Sequence, residues 1–190
     1  MRVKKILVIG DFHIPDRAKS IPEQISAIIN RENFDLVIST GDFTTRDTLK
    51  MLEKIAPVKW VIGNMDYITG PETERVEIDG IKIGITHGTY VYPRGNPYQL
   101  RQIALKMKVN VLISGHTHAL SIHKFDDVLL LNPGSATGVW GGGPASMKPS
   151  FMILEIEGNS IRVRAYELEK SGLKEIVKTY RIEGNKIVEG

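Results

Sequence analysis

The chain has 190 residues, 42% hydrophobic and 25% charged, which is enough to bury the core of one domain, expected over residues 1–190. It has no cysteine, which excludes disulfides, thiolate metal sites and a cysteine nucleophile and fits a reducing, cytoplasmic setting. The net charge of +3 is spread over mixed acidic and basic positions, and no apolar stretch has membrane-spanning length, so neither nucleic-acid binding nor a membrane segment is predicted.

The first third of the chain predicts three strands alternating with helices. Continuous apolar runs predict buried strands over residues 5–10, 34–39 and 57–62. Apolar stripes predict helices over 22–31, with Ser20 as the N-cap, and over 44–55. Because right-handed crossovers bring the ends of parallel strands to one edge of a sheet, we expect a ligand site at that edge.

The rest of the chain is richer in strands. Asp79-Gly80 predicts a hairpin between strands 74–78 and 81–86. A helix over 99–108 leads into a short buried strand that ends in Ser-Gly-His-Thr-His. Further strands are predicted over 120–125, 128–131, 150–155, 160–168 and 175–181. The glycine-rich segment 138–149 is expected to be mobile.

Side chains that bind metals follow these predicted strands directly. They are Asp11, His13, Asp42, Asn64, His87, His116 and His118. One histidine pair beside a strand could equally face solvent, but the recurrence at five strand ends favours a metal site. His116 and His118 lie two positions apart, so an extended segment would point both the same way. Seven nitrogen and oxygen donors suit Mn, Fe, Zn, Ni or Co and exceed the needs of one ion, which predicts two ions sharing a carboxylate.

These residues also carry a resemblance to a known family. Asp11-x-His13, Gly41-Asp42, Gly63-Asn64-x-Asp66, His87 and Gly115-His116-x-His118 resemble the calcineurin-like metallophosphoesterases in order and spacing. Flanking segments such as Asn132-Pro133-Gly134-Ser135 look like the YfcE-type phosphodiesterases, close to the branch that contains the retromer subunit of this fold. The resemblance implies an α/β fold: a four-layer αββα sandwich of two mixed β-sheets flanked by helices.

The resemblance also implies a role for each ligand. Asp11, His13 and His118 would bind a first ion, and Asn64, His87 and His116 a second. Asp42 would bridge the two. Asp42, His87 and His116 would thus be catalytic. The expected cofactors are two divalent ions, with Mn foremost and Ni, Zn, Fe or Co as alternatives. The expected reaction is hydrolysis of a phosphodiester by a metal-bridging hydroxide.

One position departs from the family pattern. The usual turn is Gly-Asn-His-Asp or Glu, and Met65 replaces that histidine. A thioether cannot donate a proton at neutral pH, so we expect weak assistance to the leaving group. The carboxylate of Asp66 either orients such a histidine in relatives or caps the turn.

A second class of function is left open by the sequence. The chain could be a protein–protein scaffold of the retromer-subunit type, binding a protein partner or a second copy of itself. A scaffold has no physical reason to keep a bridging carboxylate among imidazoles, so Asp42 favours an enzyme. Other candidates near the site are arginines that could bind phosphate and tyrosines that could line a pocket: Arg17, Arg46, Arg94, Tyr67, Tyr90 and Tyr92.

Overall fold

A computed structural model describes residues 2–184 and 186–190 of the chain. These residues form three helices, which are α1 (Glu23–Arg31), α2 (Arg46–Glu53) and α3 (Pro97–Met107). They form twelve strands, which are β1 (Lys4–Ile9), β2 (Leu36–Ser39), β3 (Val58–Trp60), β4 (Thr73–Ile78), β5 (Ile81–Thr86), β6 (Val111–Ile113), β7 (Leu120–Phe125), β8 (Val128–Pro133), β9 (Ser150–Glu157), β10 (Ser160–Glu169), β11 (Gly172–Glu183) and β12 (Lys186–Glu189).

The strands form two mixed sheets. The seven-stranded sheet has the order β12-β11-β10-β9-β1-β2-β3, with β1, β2 and β3 parallel and the other pairs antiparallel. The five-stranded sheet has the order β4-β5-β6-β8-β7, in which β5, β6 and β8 are parallel. Each sheet therefore carries a set of parallel strands whose carboxyl ends lie at one edge.

Three apolar clusters divide the molecule into layers. Ile6 and Val8 of β1 face a core between the two sheets, whereas Leu7 and Ile9 face the opposite side, where α1 and α2 pack. This alternation is expected for a strand that is buried on both faces. A third cluster joins α3 to the outer face of the five-stranded sheet. The four-layer αββα arrangement of two mixed sheets is thereby confirmed.

Element boundaries differ from the sequence predictions where tertiary contacts intervene. Pro22, not Ser20, is the N-cap of α1, and no side chain caps that helix. The helix predicted over 44–55 begins only at Arg46, because Thr44 has a φ of +74° and its N–H donates to Asp66. Strand β12 was not predicted, and β11 is longer than the predicted 175–181.

The Asp79-Gly80 turn behaves as its sequence predicts. Both residues have a positive φ, 51° and 83°, as a tight hairpin between β4 and β5 requires. Among the described residues, no helix has both the length and the apolar character needed to span a membrane. The extent of the domain, residues 1–190, stays a prediction.

Candidate metal centre

The seven predicted ligands lie along the edge where parallel strands of both sheets end. The ends of β1, β2 and β3 supply Asp11, His13, Asp42 and Asn64 from the seven-stranded sheet. The ends of β5 and β6 supply His87, His116 and His118 from the five-stranded sheet. All except Asn64 are buried. The sheets thus bring into one region residues that are up to 107 positions apart in the chain.

The turns that carry these side chains have an unusual backbone. Positive φ angles of 50° to 69° occur at five of the ligands: Asp11, His13, Asp42, His116 and His118. Each such residue costs about 1–2 kcal/mol relative to right-handed backbone. Hydrogen bonds between neighbouring turns hold this conformation: the N–H of Asp11 donates to the carbonyl of Gly41 at 2.9 Å.

The two histidines after β6 do not share one direction. The prediction of a common direction was wrong, because β6 ends at Ile113 and both residues have left-handed backbone. The ring of His116 lies beside that of His87, with centroids 5.0 Å apart. The ring of His118 lies beside that of His13, with centroids 4.9 Å apart. The pair therefore divides between two halves of the site.

The first half is a compact group of four residues. Asp11, His13, Asp42 and His118 each offer a ligand atom, all within 4.8 Å of one another. Nε2 of His13 lies 3.1 Å from Nε2 of His118 and 3.2 Å from Oδ2 of Asp42. Oδ1 of Asp11 is 3.6 Å from Nε2 of His118, is buried, and has no hydrogen-bond partner. A cation among these atoms would satisfy the carboxylate and both imidazole lone pairs.

Backbone carbonyls fix the orientation of two imidazoles. Nδ1 of His118 lies 2.6 Å from the carbonyl oxygen of Val139, and Nδ1 of His87 lies 2.7 Å from that of Thr40. A carbonyl can only accept, so each Nδ1 carries the proton and donates it. Nε2 of the neutral His118 is then left with a lone pair directed away from the carbonyl, as in histidines that bind metals, and Nε2 of His87 offers one once it loses its second proton.

The second half of the site surrounds His87. Nε2 of His87 lies 3.4 Å from Oδ2 of Asp42 and 3.1 Å from Oδ1 of Asn64. The same oxygen of Asp42 is also near His13, so one carboxylate oxygen lies between the two halves. The ring of His116 lies beside that of His87, and His116 is not part of the compact group of four.

The pKa values of the two buried carboxylates are shifted in opposite directions. Burial raises the pKa of Asp11 to about 7, because no water solvates its charge. For Asp42, burial also acts to raise the pKa, but the hydrogen bonds to His13 and His87 outweigh it and hold the pKa far below its usual range. Asp42 is therefore ionised at neutral pH.

The pKa values of three histidines are also shifted, two downward and one upward. Burial lowers the pKa of His118 to about 4, and burial together with the charge of His87 lowers that of His116 to about 4. Burial alone would also lower the pKa of His87, but its hydrogen bond to Asp42 and the charges of Asp11 and Asp42 raise it to about 9. His116 and His118 are thus neutral imidazoles, the form that binds a metal.

Several supporting groups were not predicted from the sequence. The hydroxyl of Ser135 donates to the carbonyl of Asp11 at 2.7 Å, and that of Thr137 donates to the carbonyl of Phe12 at 2.8 Å. The turn after β8 thereby holds the loop after β1. Asn132-Pro133-Gly134-Ser135 predicts a tight turn, but only the folded chain reveals the contacts of that turn with the loop after β1.

The carboxylate of Asp66 accepts hydrogen bonds from three backbone N–H groups. Its Oδ2 accepts from the N–H groups of Asp42 at 2.9 Å and Gly63 at 2.8 Å, and its Oδ1 accepts from Thr44 at 2.8 Å. Of the two roles considered for Asp66, the geometry supports turn capping. The N–H of Met65 donates to Oδ1 of Asp42 at 2.9 Å, so residue 65 orients the central carboxylate through its backbone.

The glycine-rich segment 138–149 passes directly over His118. The carbonyl of Trp140 accepts from Arg17 at 2.8 Å, and the carbonyl of Gly141 accepts from Arg94 at 2.7 Å. Two of the arginines considered as phosphate ligands are therefore bound to this segment instead. A Cβ on Gly141 would lie 2.6 Å from the His118 ring, so this close approach requires glycine. The mobility expected of the segment stays a prediction.

Comparison with known proteins gives the class of this chain. Residues 5–159 match the calcineurin-like phosphoesterase superfamily domain, and the chain belongs to that family. Over 157 residues it is 45% identical to a probable metallophosphoesterase of Methanothermobacter thermautotrophicus, covering 81% of this chain and 87% of that protein.

Solved structures give the same fold. Vacuolar protein sorting 29 (Vps29) of Cryptosporidium parvum has a TM-score of 0.90 at 29% identity, covering 95% of this chain and 99% of that one. Wild-type Vps29 of Entamoeba histolytica, solved in complex with Zn²⁺, has a TM-score of 0.83 at 35% identity, covering 91% of this chain and 97% of that one. The chain is therefore a metallophosphoesterase by family, with the sandwich fold of Vps29.

Proposed function

We propose that the chain is a phosphodiesterase that depends on two divalent metal ions. The observation that carries this proposal is the buried Oδ1 of Asp11, which has no hydrogen-bond partner and lies 3.6 Å from Nε2 of His118. A buried carboxylate oxygen facing an imidazole lone pair is stabilised by a proton or a cation, and the neighbouring His13 and Asp42 complete a cation site. The family supplies the reaction class.

Each ligand has a proposed place. Asp11, His13 and His118 hold the first ion, Asn64, His87 and His116 hold the second, and Asp42 is shared. When bound, the ions supply a water nucleophile of lowered pKa and neutralise charge on the phosphoryl oxygens. Asp42, His87 and His116 are the proposed catalytic residues, while Thr40, Met65 and Val139 position ligands through their backbone groups.

Manganese is the first candidate for the native metal. A donor set of nitrogen and oxygen atoms without sulfur also suits Zn, Ni, Fe or Co. The Zn²⁺ complex of a similar Vps29 supports a divalent ion without selecting among these. The cytoplasmic location expected from the composition stays part of the proposal.

The number of ions is the first test. We expect about two Mn²⁺ per chain at saturation, because seven donors exceed the usual four to six of one ion. Asp42→Asn should lower the occupancy of both sites, since it removes the charge lying between His13 and His87. Asp47→Asn is the matched control, because the side chain of Asp47 is 89% exposed on α2. Elemental analysis after dialysis measures both, and a ratio of one or less at saturating Mn²⁺ contradicts two ions.

The reaction is the second test. The Mn²⁺-loaded chain should hydrolyse an aryl phosphodiester faster than the matched aryl phosphomonoester, and Asp42→Asn should abolish that activity while Asp47→Asn keeps it. A chain that binds two ions and hydrolyses no phosphodiester would contradict the proposal.

A protein–protein scaffold is the alternative function. It is favoured by the likeness to Vps29 over nearly the whole of both chains. In that case the ions would hold the edge of the two sheets in shape for a protein partner or a second copy, and metal binding without turnover is the expected outcome.

A further inference from the structure

A cavity of about 360 Å³ opens directly beside the second half of the metal centre. Asn64 and His87 form one of its walls. The other walls come from the segment after β3, the start of β4, the turn after β5, and α3. Its volume lies within the range of about 300–1,000 Å³ that is typical of small-molecule sites. A substrate whose phosphoryl group lies at the metal centre would extend one of its ester groups into this space.

The walls combine apolar side chains with hydroxyl groups. Ile62 and Ile103 provide aliphatic surface, and Tyr90 stands at the cavity with its side chain 86% exposed. Thr73 of β4 and Thr86 of β5 are cross-strand partners and both line the cavity. Such walls suit a flat group that packs on aliphatic and aromatic side chains and exchanges hydrogen bonds with hydroxyls.

The cavity has few charged side chains in its walls. Glu72 is its only carboxylate, and of the described residues that line it none is Lys or Arg. The charged imidazole of His87 already faces the carboxylate of Asp42, so a second anionic group on the substrate would find no free counter-charge and would meet the carboxylate of Glu72. The cavity is therefore suited to an uncharged ester group.

We propose that this cavity binds one ester group of a phosphodiester substrate, and that this group is an uncharged aromatic or heteroaromatic ring. The inference rests on the proposed phosphodiesterase function for the position of the phosphoryl group. Ile103 and Tyr90 determine specificity by packing against the ring. Glu72 determines it by excluding a second negative charge.

Binding to the metal-free chain tests the cavity separately from catalysis. The probes are diphenyl phosphate and diethyl phosphate, which carry the same charge and differ in the ester groups. Isoleucine methyl NMR should show shifts at Ile62 and Ile103 with diphenyl phosphate, and about tenfold tighter binding of that probe, as expected for an apolar group in a fitted pocket. Equal affinity for the two probes would overturn the proposal.

Two pairs of variants locate the preference in the cavity. Ile103→Trp should remove the preference for diphenyl phosphate by filling the cavity. Leu105→Trp, on the same helix but in the wall of a different cavity, should keep that preference.

Tyr90→Ala tests the aromatic wall, because the side chain of Tyr90 is exposed and its removal should leave the fold intact. It should lower affinity for diphenyl phosphate alone, whereas Tyr98→Ala, an exposed tyrosine of α3 outside the cavity, should not. If Tyr90→Ala leaves the preference for diphenyl phosphate unchanged, Tyr90 does not pack against the ring of the ester group.

The charge argument has its own probe. A diphenyl phosphate with a carboxylate on one ring should bind the chain more weakly than the corresponding methyl ester, and Glu72→Gln should narrow the gap. An unchanged gap would overturn the role of Glu72.

Activity of the Mn²⁺-loaded chain separates the two proposals. If phosphodiesters are hydrolysed but diphenyl phosphate is not preferred in binding, the cavity proposal fails and the proposed function stands. If diphenyl phosphate binds with the expected preference and no phosphodiester is hydrolysed, the phosphodiesterase proposal fails and the cavity remains a site for an aryl phosphodiester.

Discussion

Five of the seven proposed ligands have a left-handed backbone, which is costly for a residue with a Cβ. Residues with a Cβ rarely adopt it, and such residues cluster where a side chain must be held in one orientation. Asp11 illustrates the reason: its backbone N–H is bonded to Gly41 while its Oδ2 accepts from the N–H of His116 at 3.0 Å. The loops after β1, β2 and β6 are thus tied together by the same residues that offer ligand atoms.

The position of the proposed ligands at one edge of the sheets was predictable from the sequence, but the orientation of their side chains was not. Position directly after apolar runs selected His87 and His118 without any knowledge of the fold. Their tautomers depend on the carbonyls of Thr40 and Val139, which are 47 and 21 residues away. No local pattern indicates such pairings, because a backbone carbonyl has no residue-specific signature.

Met65 gives a prediction at the same scale. Met65→His should raise kcat/KM for alkyl phosphodiesters more than for aryl phosphodiesters, because a proton donor helps most when the leaving group is poor. General acid catalysis is usually worth about 10²–10⁴-fold, and we expect the lower end because Asp66 is already bonded to three backbone N–H groups. A leaving-group series with Mn²⁺ bound measures the effect.

The control for this substitution is Met65→Leu, which keeps the backbone N–H that orients Asp42 and adds no ionisable group. It should leave the slope of the series unchanged. If Met65→His accelerates every substrate equally, residue 65 acts on metal loading and the leaving-group explanation is wrong.

At the scale of elements, the glycine-rich segment 138–149 completes the site. Its carbonyls accept from His118, Arg17 and Arg94, and the hydroxyl of Ser146 donates to the carbonyl of His118 at 3.1 Å. The segment therefore holds His118 from two sides. Its composition predicted mobility, which stays a prediction, and none of these contacts could be predicted from the composition; the segment contains neither helix nor strand.

Gly141 allows this contact to be tested. Gly141→Ala places a Cβ 2.6 Å from the His118 ring, so the ring or the segment must shift, and we expect weaker Mn²⁺ binding. Gly143→Ala is the matched control, because its Cβ would meet Arg94 at an ordinary 3.5 Å. Isothermal titration with Mn²⁺ measures both variants. Equal affinities would show that the segment yields without moving His118.

Strand β1 was predictable from the sequence, whereas the start of α2 and strand β12 were not, and each has a physical reason. A buried strand such as β1 is a continuous apolar run, and its position follows from composition alone. The start of α2 depends on the carboxylate of Asp66, which holds the N–H of Thr44 from a turn 22 residues away. Strand β12 has only four residues, of which Ile187 alone is buried, so its apolar signal is weak.

At the scale of the molecule, the pH dependence of metal binding is predictable in sign. The raised pKa of Asp11, about 7, means that the metal-free chain keeps this proton at pH 6 and loses stability as the pH rises through 7. The pKa of His87, about 9, acts in the same direction at higher pH. His116 and His118, with pKa values near 4, are already neutral in the folded chain at pH 6 and release no proton when a metal binds.

We therefore expect the rise in Tm produced by saturating Mn²⁺, relative to chelator, to be larger at pH 8 than at pH 6. Metal binding must displace protons from Asp11 and His87 at the lower pH. Differential scanning calorimetry measures the rise, and Asp11→Asn, which cannot titrate, should reduce its pH dependence. A larger rise at pH 6 would contradict the assignment.

The division of ligands between the two sheets has a mechanical consequence. The seven-stranded sheet carries Asp11, His13, Asp42 and Asn64, and the five-stranded sheet carries the three remaining histidines, so neither sheet alone has a full set for either ion. Bound ions would therefore crosslink the two sheets. In a urea titration of the Mn²⁺-loaded chain, an ion-sensitive dye should report release at the same urea concentration at which near-ultraviolet circular dichroism reports loss of packing. Release only at a higher urea concentration would mean that one sheet alone holds the metal, and ion release would then not report the separation of the two sheets.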